Sequence, residues 1–472
     1  MKQVVVLVGR PNVGKSTLFN RLTRSRAALV SDVPGVTRDR QYGDGRIGDK
    51  PYFVVDTGGI VEGVAMATAS PDGDRSEMRK LISMQTREAL TEGDAIILIV
   101  DGREGLHPID RELATDIRRL GKPVWLAVNK TEGHVPETAV AEFHALGLGA
   151  PHAISSAHGE GVPEMMEHIL ATFPVYEENA ESTDNVPRIA IIGKPNVGKS
   201  TLVNALLGEE RVVVCDQPGT TRDSIHVPIE RSGKRYILID TAGVRRRARI
   251  DDALEKFSVI KTLHAIDEAN VAILIIDAKE GVSDQDAGLA GYALERGRAM
   301  VVAVNKWDLV DESGRDWVKR ELERKLAFLD FARAHFVSAK EGQGIGSLFP
   351  SVDEAYMSAH KVLPTPKLTR LLEEAVTVNP PPMAHGRRIR LKYAHQGGKN
   401  PPIVVVHGNQ AASLSDAYRR YLSNFFRKAF RLVGTPIRVE CRTEKNPYEG
   451  RKTTPRRKLG KAGKHQSVRK RT

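Results

Sequence analysis

Only two cysteines, Cys215 and Cys441, occur in the 472 residues of the chain. They stand far apart with no C-x-x-C spacing, which excludes a disulfide scaffold and a thiolate zinc site and fits a reducing cytosol. Long apolar runs are missing too. The first one, Val4–Val8, gives way at once to a glycine-rich loop and is too short for a signal peptide or a membrane span. No later run approaches the roughly 20 residues a spanning helix needs. The 14 histidines, among them His107, His264, His385, His395 and His407, show no metal-ligand spacing, which assigns them packing and surface roles. Acidic side chains are absent from Arg451 to Thr472, where ten Lys and Arg stand.

What is there is unevenly distributed. The net charge is +12, yet the first 360 residues hold 45 basic and 53 acidic side chains, and Lys361–Gly450 holds 16 against 6. The basic character therefore belongs to the C-terminal quarter, which suits an acidic polymer as its partner. An apolar fraction of 40% and a charged fraction of 28% are ordinary for globular proteins, and the length suits about three domains.

The sequence repeats itself. Gly9-Arg10-Pro11-Asn12-Val13-Gly14-Lys15-Ser16-Thr17 returns as Gly193-Lys194-Pro195-Asn196-Val197-Gly198-Lys199-Ser200-Thr201. Pro34–Asp39 returns as Pro218–Asp223, and Asp56-Thr57-Gly58-Gly59 as Asp240-Thr241-Ala242-Gly243, all at an offset of 184. Glu92, Asp101 and Asn129 match Glu268, Asp277 and Asn305 at an offset of 176, so the first copy carries eight extra residues between Gly59 and Glu92. Ala65–Asp74 reads as that inserted loop. Each copy alternates apolar strands (Tyr52–Val55, Ala95–Val100 and Val124–Val128 in the first) with helical patterns such as Asp110–Leu120. That alternation predicts an α/β fold, a mostly parallel sheet flanked by helices, twice over. The expected layout is a first domain over 1–173, an acidic linker over 174–187, a second domain over 188–359, a third over 360–445 and a disordered basic tail over 446–472. In the third, a helix at Leu368–Val378, strands at Arg388–Ala394 and Ile403–His407, a helix at Asp416–Phe430 and a strand at Pro436–Arg442 make an α+β unit.

G-x-x-x-x-G-K-[ST] binds phosphate because glycines let main-chain N–H groups wrap the oxyanions while the following helix presents its positive end. Lys15 and Lys199 would reach the β- and γ-phosphates, and Ser16 and Ser200 would offer hydroxyls to Mg²⁺. The base is selected elsewhere. Asn305-Lys306-Trp307-Asp308 follows an apolar strand, and its carboxylate can accept both N1–H and N2–H of guanine, donors that adenine lacks. Ser338-Ala339-Lys340 adds contacts near the guanine oxygen. The first copy supplies Asn129-Lys130-Thr131-Glu132 and Ser156-Ala157-His158. Glu132 stands where Asp is usual, one methylene longer, which predicts a working but weaker or less selective first site. Thr37 and Thr221 would place hydroxyls on Mg²⁺, Asp56 and Asp240 would hold it through water, and the N–H groups of Gly59 and Gly243 would touch the γ-phosphate, giving a switch that relaxes on hydrolysis. Lys15, Thr37, Gly59, Lys199, Thr221 and Gly243 are the expected catalytic set. Ile60 and Val244 occupy the place where many GTPases carry a water-orienting Gln, so hydrolysis rests on positioning and electrostatics.

Tandem domains with P-G-x-T-R-D, D-T-[GA]-G and a C-terminal α/β domain resemble the EngA (Der) family of bacterial GTPases over about residues 1–445. The resemblance implies a monomeric, cytoplasmic, GTP-hydrolysing factor in assembly of the large ribosomal subunit and its rRNA, with a KH-like third domain. The phosphate loops are also similar to those of translation-factor-class GTPases, in which the Asn found here as Asn12 and Asn196 accompanies a potassium ion. Slow, potassium-stimulated hydrolysis is the expectation, and a loop-capping Asn is the other reading. The third domain has no G-x-x-G clamp of the RNA-binding KH kind (Gly408-Asn-Gln-Ala411 fails at its last position), so RNA contact and packing against the nucleotide domains both stand. A nucleotide-gated RNA-binding scaffold with negligible turnover is the alternative function. A tRNA-modification GTPase fits poorly, because such enzymes normally carry one G domain and a C-terminal cysteine motif.

Overall fold

The computed structural model describes residues 2–23, 29–30, 41–57, 89–173, 186–208, 212–214, 226–239, 259–384 and 387–443. The chain forms two compact units. One comprises Met1–Val362 with Gly398–Pro402 and Phe430–Arg438, and the other comprises Leu363–Gly397, Ile403–Ala429 and the segment from Val439 onward. The expected linker over 174–187 lies outside the described residues except for its last two. The inserted loop Ala65–Asp74 and the basic tail lie wholly outside them.

The first unit holds two seven-stranded sheets. In the first run β1 (Gln3–Val8), β2 (Leu29–Val30), β3 (Gln41–Ile47), β4 (Lys50–Asp56), β5 (Ala95–Asp101), β6 (Val124–Asn129) and β7 (His152–Ala153), in spatial order β2-β3-β4-β1-β5-β6-β7. β4, β1, β5, β6 and β7 are parallel neighbours, and β2 and β3 are antiparallel at one edge. The second sheet has β8 (Arg188–Ile192), β9 (Val212–Val214), β10 (Val227–Arg231), β11 (Lys234–Ile239), β12 (Val271–Asp277), β13 (Ala299–Asn305) and β14 (Arg333–Phe336). Its order is β14-β13-β12-β8-β11-β10-β9, with β10 and β9 antiparallel. Uninterrupted apolar strands such as Ala95–Asp101 and Val271–Asp277 are buried along their whole length because helices cover both faces of a parallel sheet.

Local chemistry fixes the helices. Pro108–Arg118 begins with a reciprocal cap in which His107 Nδ1 accepts the Ile109 N–H at 3.2 Å while Asp110 accepts the His107 N–H. Ser283 and Asp286 do the same for Asp284–Glu295. Asp110 and Asp286 occupy matching places in the repeat and are fully buried, and burial pushes both carboxyls up. Within this unit the apolar cluster is continuous across both sheets, joining Phe53, Leu98 and Ile117 to Leu263, Leu274 and Leu289.

The second unit has the expected α-β-β-α-β order: helix Thr365–Val378, strands β17 (Arg390–Gly398) and β18 (Ile403–Asn409), helix Asp416–Phe430 and strand β19 (Arg438–Thr443), with a short antiparallel pair, β15 (Met383–Ala384) and β16 (Arg387–Arg388), between the first helix and β17. Leu368, Leu372, Ala394, Val404, Val406, Leu422 and Phe426 are buried, as the helical and alternating apolar patterns require. Among the described residues no helix is long and apolar enough to cross a membrane.

Candidate nucleotide sites

Each phosphate loop lies between a central strand and a helix, β1 and Lys15–Thr23 in the first copy, β8 and Lys199–Leu207 in the second. The chain turns there through left-handed backbone at Asn12 (φ 64°) and Gly14 (φ 99°), and again at Asn196 (φ 62°) and Gly198 (φ 96°). Glycine is required at Gly14 and Gly198 on two counts: the positive φ, and the fact that an added Cβ would collide with the Asn129 or Asn305 amide. Lys15 Nζ donates to the Arg10 carbonyl at 2.7 Å, and Lys199 Nζ to the Lys194 carbonyl at 2.6 Å, so each lysine folds over its own loop. Pro11 and Pro195 lie in the turn of each loop, and Thr17 and Thr201 in the first turn of the helix that follows.

Asn129 and Asn305 act as brackets. Asn129 Nδ2 donates to the Val13 carbonyl at 2.7 Å and its Oδ1 accepts the Ser156 N–H at 2.8 Å. Asn305 does the same with Val197 at 2.8 Å and Ala339 at 2.9 Å. One buried amide thus ties the phosphate loop to the base-side loop, and its burial makes either bond expensive to lose. Lys130 (φ 66°) and Lys306 (φ 62°) also sit in the left-handed region, with Nζ 2.5 Å from Asp101 and Asp277 respectively. Burial opposes the Asp101 charge, but the bonds from Lys130 and the Arg103 amide outweigh it and hold the carboxyl below its usual range.

These brackets correct one expectation. Ser156-Ala157-His158 is not the counterpart of Ser338-Ala339-Lys340; the first copy is shifted by one residue, and Ser155-Ser156-Ala157 takes that place. Three bonds fix the register. Ser155 N–H reaches the Glu160 carbonyl at 2.9 Å as Ser338 N–H reaches Gln343 at 3.0 Å, and the Ser155 and Ser338 hydroxyls accept the His158 and Glu341 amides. The third is the bracket itself, made to Ser156 and to Ala339. Two adjacent serines hid the shift; counting from the preceding apolar residue, Ile154 or Val337, would have found it.

At the other side of the first site, Ser16 Oγ donates to Asp56 Oδ2 at 2.9 Å. A hydroxyl and a carboxylate meeting at a phosphate loop form a small, hard oxygen donor set that fits Mg²⁺, which takes few protein ligands and completes its shell with water and phosphate. Thr57 is fully buried, its hydroxyl on the Leu7 carbonyl at 2.7 Å. Ser200 is buried as well. Thr37, Gly58, Gly59 and Ile60, and Thr221, Asp240, Thr241, Ala242, Gly243 and Val244, lie outside the described residues.

Residues 101–104 form a connecting turn that motif reading overlooked. Arg10 in the phosphate loop pairs with Glu104 at 2.5 Å and with Asp110 at 3.5 Å, and Lys194 pairs with Glu280 at 2.8 Å and Asp286 at 3.8 Å. Arg103 NH2 lies 2.6 Å from Glu132 Oε1. The Glu132 backbone N–H, the Ser155 hydroxyl and then the Arg103 charge hold that carboxyl below the usual range. Thr131 packs its hydroxyl on the Ile154 carbonyl at 3.0 Å. Trp307 is a packing residue, its ring 4.3 Å from that of Phe336, while Asp308 and Lys340 are exposed. Beside the first site a cavity of about 790 Å³ is lined by Thr17, Arg21, Tyr52, Ser156 and Gly159, among others.

A family model described as 50S ribosome-binding GTPase matches residues 4–130 and again 188–306, and one described as the C-terminal KH-domain-like region of EngA bacterial GTPase enzymes matches 363–442. GTPase Der of Cupriavidus pinatubonensis is 57% identical over 453 residues, covering 95% of this chain and 99% of its own length. GTPase Der of Chromobacterium violaceum is 56% identical, covering 97% of this chain and 95% of its own.

Proposed function

The chain belongs to the EngA (Der) family of bacterial GTPases, and on that premise we propose that its two nucleotide sites work as GTP-driven switches in assembly of the large ribosomal subunit. GTP binding and hydrolysis to GDP and phosphate follow from the family. The assignment to ribosome assembly is supported by the description of the matching family model and by the basic C-terminal quarter. The KH-like domain and the tail would meet rRNA phosphates through their Lys and Arg side chains, and the protein would work in the cytoplasm as a monomer. The proposed domain limits are 1–173, 188–359 and 360–445.

In each site the amides of Gly9–Thr17 or Gly193–Thr201 would wrap the phosphates, with Lys15 or Lys199 turning from its loop carbonyl to the β- and γ-oxygens. Glu132 and Asp308 would accept the guanine N–H pair, with Ser155-Ser156 and Ser338-Ala339 beside the base oxygen. Ser16, Thr37 and Asp56, and Ser200, Thr221 and Asp240, would hold Mg²⁺, which supplies charge neutralisation on the transferring phosphoryl group. Asn12 and Asn196 would carry a potassium ion beside the phosphates. With Ile60 and Val244 at the usual place of the water-orienting Gln, hydrolysis would be slow and potassium-stimulated.

The observation that carries this reading is the duplicated bracket, an asparagine amide tying phosphate loop to base loop in both copies at bond lengths within 0.1 Å of each other. Sedimentation with ribosomal particles under GDP, GTP and a non-hydrolysable analogue tests the function. Wild type should co-sediment most with the analogue, and Lys15→Ala or Lys199→Ala should remove that preference. Binding to particles that is indifferent to nucleotide would overturn the switch.

A further inference from the structure

We propose that Arg103 is a positioning residue for guanine recognition in the first domain, pinning the Glu132 carboxylate so that its longer stem can act as an aspartate does. The proposal rests on the reading that Glu132 accepts the N–H groups of the base. Glutamate has one more rotatable bond than aspartate, so its carboxylate samples more positions and loses more freedom when a ligand fixes it. Arg103 NH2, 2.6 Å from Oε1, removes that freedom beforehand. The Ser155 hydroxyl also bonds this carboxylate, and Oε1 keeps a second lone pair beside the guanidinium.

The position of Arg103 is built into the fold. It follows β5 in a turn whose amides, Arg103 N–H at 2.9 Å and Glu104 N–H at 3.4 Å, both bond Asp101 Oδ1. The same carboxylate takes Lys130 at 2.5 Å, and the Gly102 N–H bonds the Asn129 carbonyl at 2.7 Å. Residues 103 and 104 then face opposite duties: Glu104 grips Arg10 of the phosphate loop, and Arg103 grips Glu132.

The second domain supplies an internal comparison. There the first duty is repeated, Lys194 on Glu280 at 2.8 Å, but the residues corresponding to Arg103 and Glu132 are Lys279 and Asp308, and among the described residues no ion pair joins them. Arginine and glutamate thus replace lysine and aspartate together, and the contact is present only where the stem is long. An exposed ion pair by itself contributes little, which is why the expected effect concerns selectivity rather than fold.

The test uses the full chain in a Lys199→Ala background, with GDP and with IDP, which lacks the 2-amino donor, titrated by calorimetry. Glu132→Gln should weaken GDP binding and shrink the preference for GDP over IDP; if it leaves that preference untouched, the reading of Glu132 fails and the Arg103 proposal fails with it. Given a Glu132 effect, Arg103→Ala should weaken GDP binding about three- to ten-fold and IDP binding less, with Arg103→Lys restoring much of the loss. In a Glu132→Asp background, Arg103→Ala should matter less than it does beside glutamate. Equal losses for GDP and IDP, or an effect of the same size beside aspartate, would make Arg103 a general loop support and overturn the proposal.

Discussion

Lys2 Nζ lies 2.5 Å from Asp267 Oδ2, joining the residue before the first strand of one nucleotide domain to the last turn of helix Val259–Glu268 of the other. Lys2 also reaches Asp44 on β3 at 2.9 Å, and Arg296 closes the ring by pairing with Asp267 at 3.0 Å and with Asp44. Two cations and two anions alternate, and the Lys2 and Asp267 side chains are only 10% and 14% exposed. Breaking such a ring leaves a partly buried charge without its partner, which costs more than the intact pair contributes.

Lys2→Met and Asp267→Asn are each expected to lower unfolding free energy by about 1–2 kcal/mol. The double variant should lose less than the sum, because the two share one interaction. A double-mutant cycle in urea checks this; strict additivity would show that the pair contributes no coupling.

His264 stands at the same junction, edge-on to Phe53 with ring centroids 5.0 Å apart. Burial pushes its imidazole down to about 4, against the weaker upward pull of Asp267 and Glu268. The unfolded chain takes up this proton near pH 6.5 and the folded chain only near 4, so the stability this residue confers is present above 6.5 and lost as pH falls through that window. Between pH 7 and 5 the loss should be about 2 kcal/mol. Urea unfolding of His264→Gln should show a correspondingly flatter pH dependence, and an unchanged slope would refute the assignment.

The two α/β domains were legible in the sequence because their central strands are continuous apolar runs and their phosphate loops repeat at one spacing. The α-β-β-α-β order of the third domain was legible for the same reason of pattern. Ser155 was not, since local sequence could not say which of two serines the Asn129 bracket selects. Arg103 and the Lys2 ring were also hidden: they join residues 29 or more positions apart, and nothing in a periodicity or a short motif reports which charged side chains a fold brings together. His264 read as one of many uncommitted histidines until its burial was known.

The asparagines at the left-handed corner of each phosphate loop separate two readings, cation ligand and loop cap. If Asn12 and Asn196 hold potassium, wild-type GTP turnover should be about ten-fold or more faster in potassium than in sodium buffer. Asn12→Ala combined with Asn196→Ala should abolish that ratio while GDP affinity stays within about three-fold. Steady-state phosphate release in the two salts measures it. Equal wild-type rates in both would leave the asparagines as caps of the left-handed turn.

Gly14 has no room for a side chain. Its φ of 99° is strained for any L-residue, and a Cβ would drive into the Asn129 amide, which already holds Val13 and Ser156. Gly14→Ala should therefore displace the bracket as well as bend the loop, costing about 2–4 kcal/mol at the first site through strain and broken buried bonds. Gly198→Ala should do the same to Asn305 and the second site. Because the loops are 184 residues apart in sequence and each has its own bracket, the losses should be independent. Calorimetric titration with GDP should read two sites in wild type, one in either variant and none in both together. A single alanine that empties both sites would mean that the loops fold as one unit.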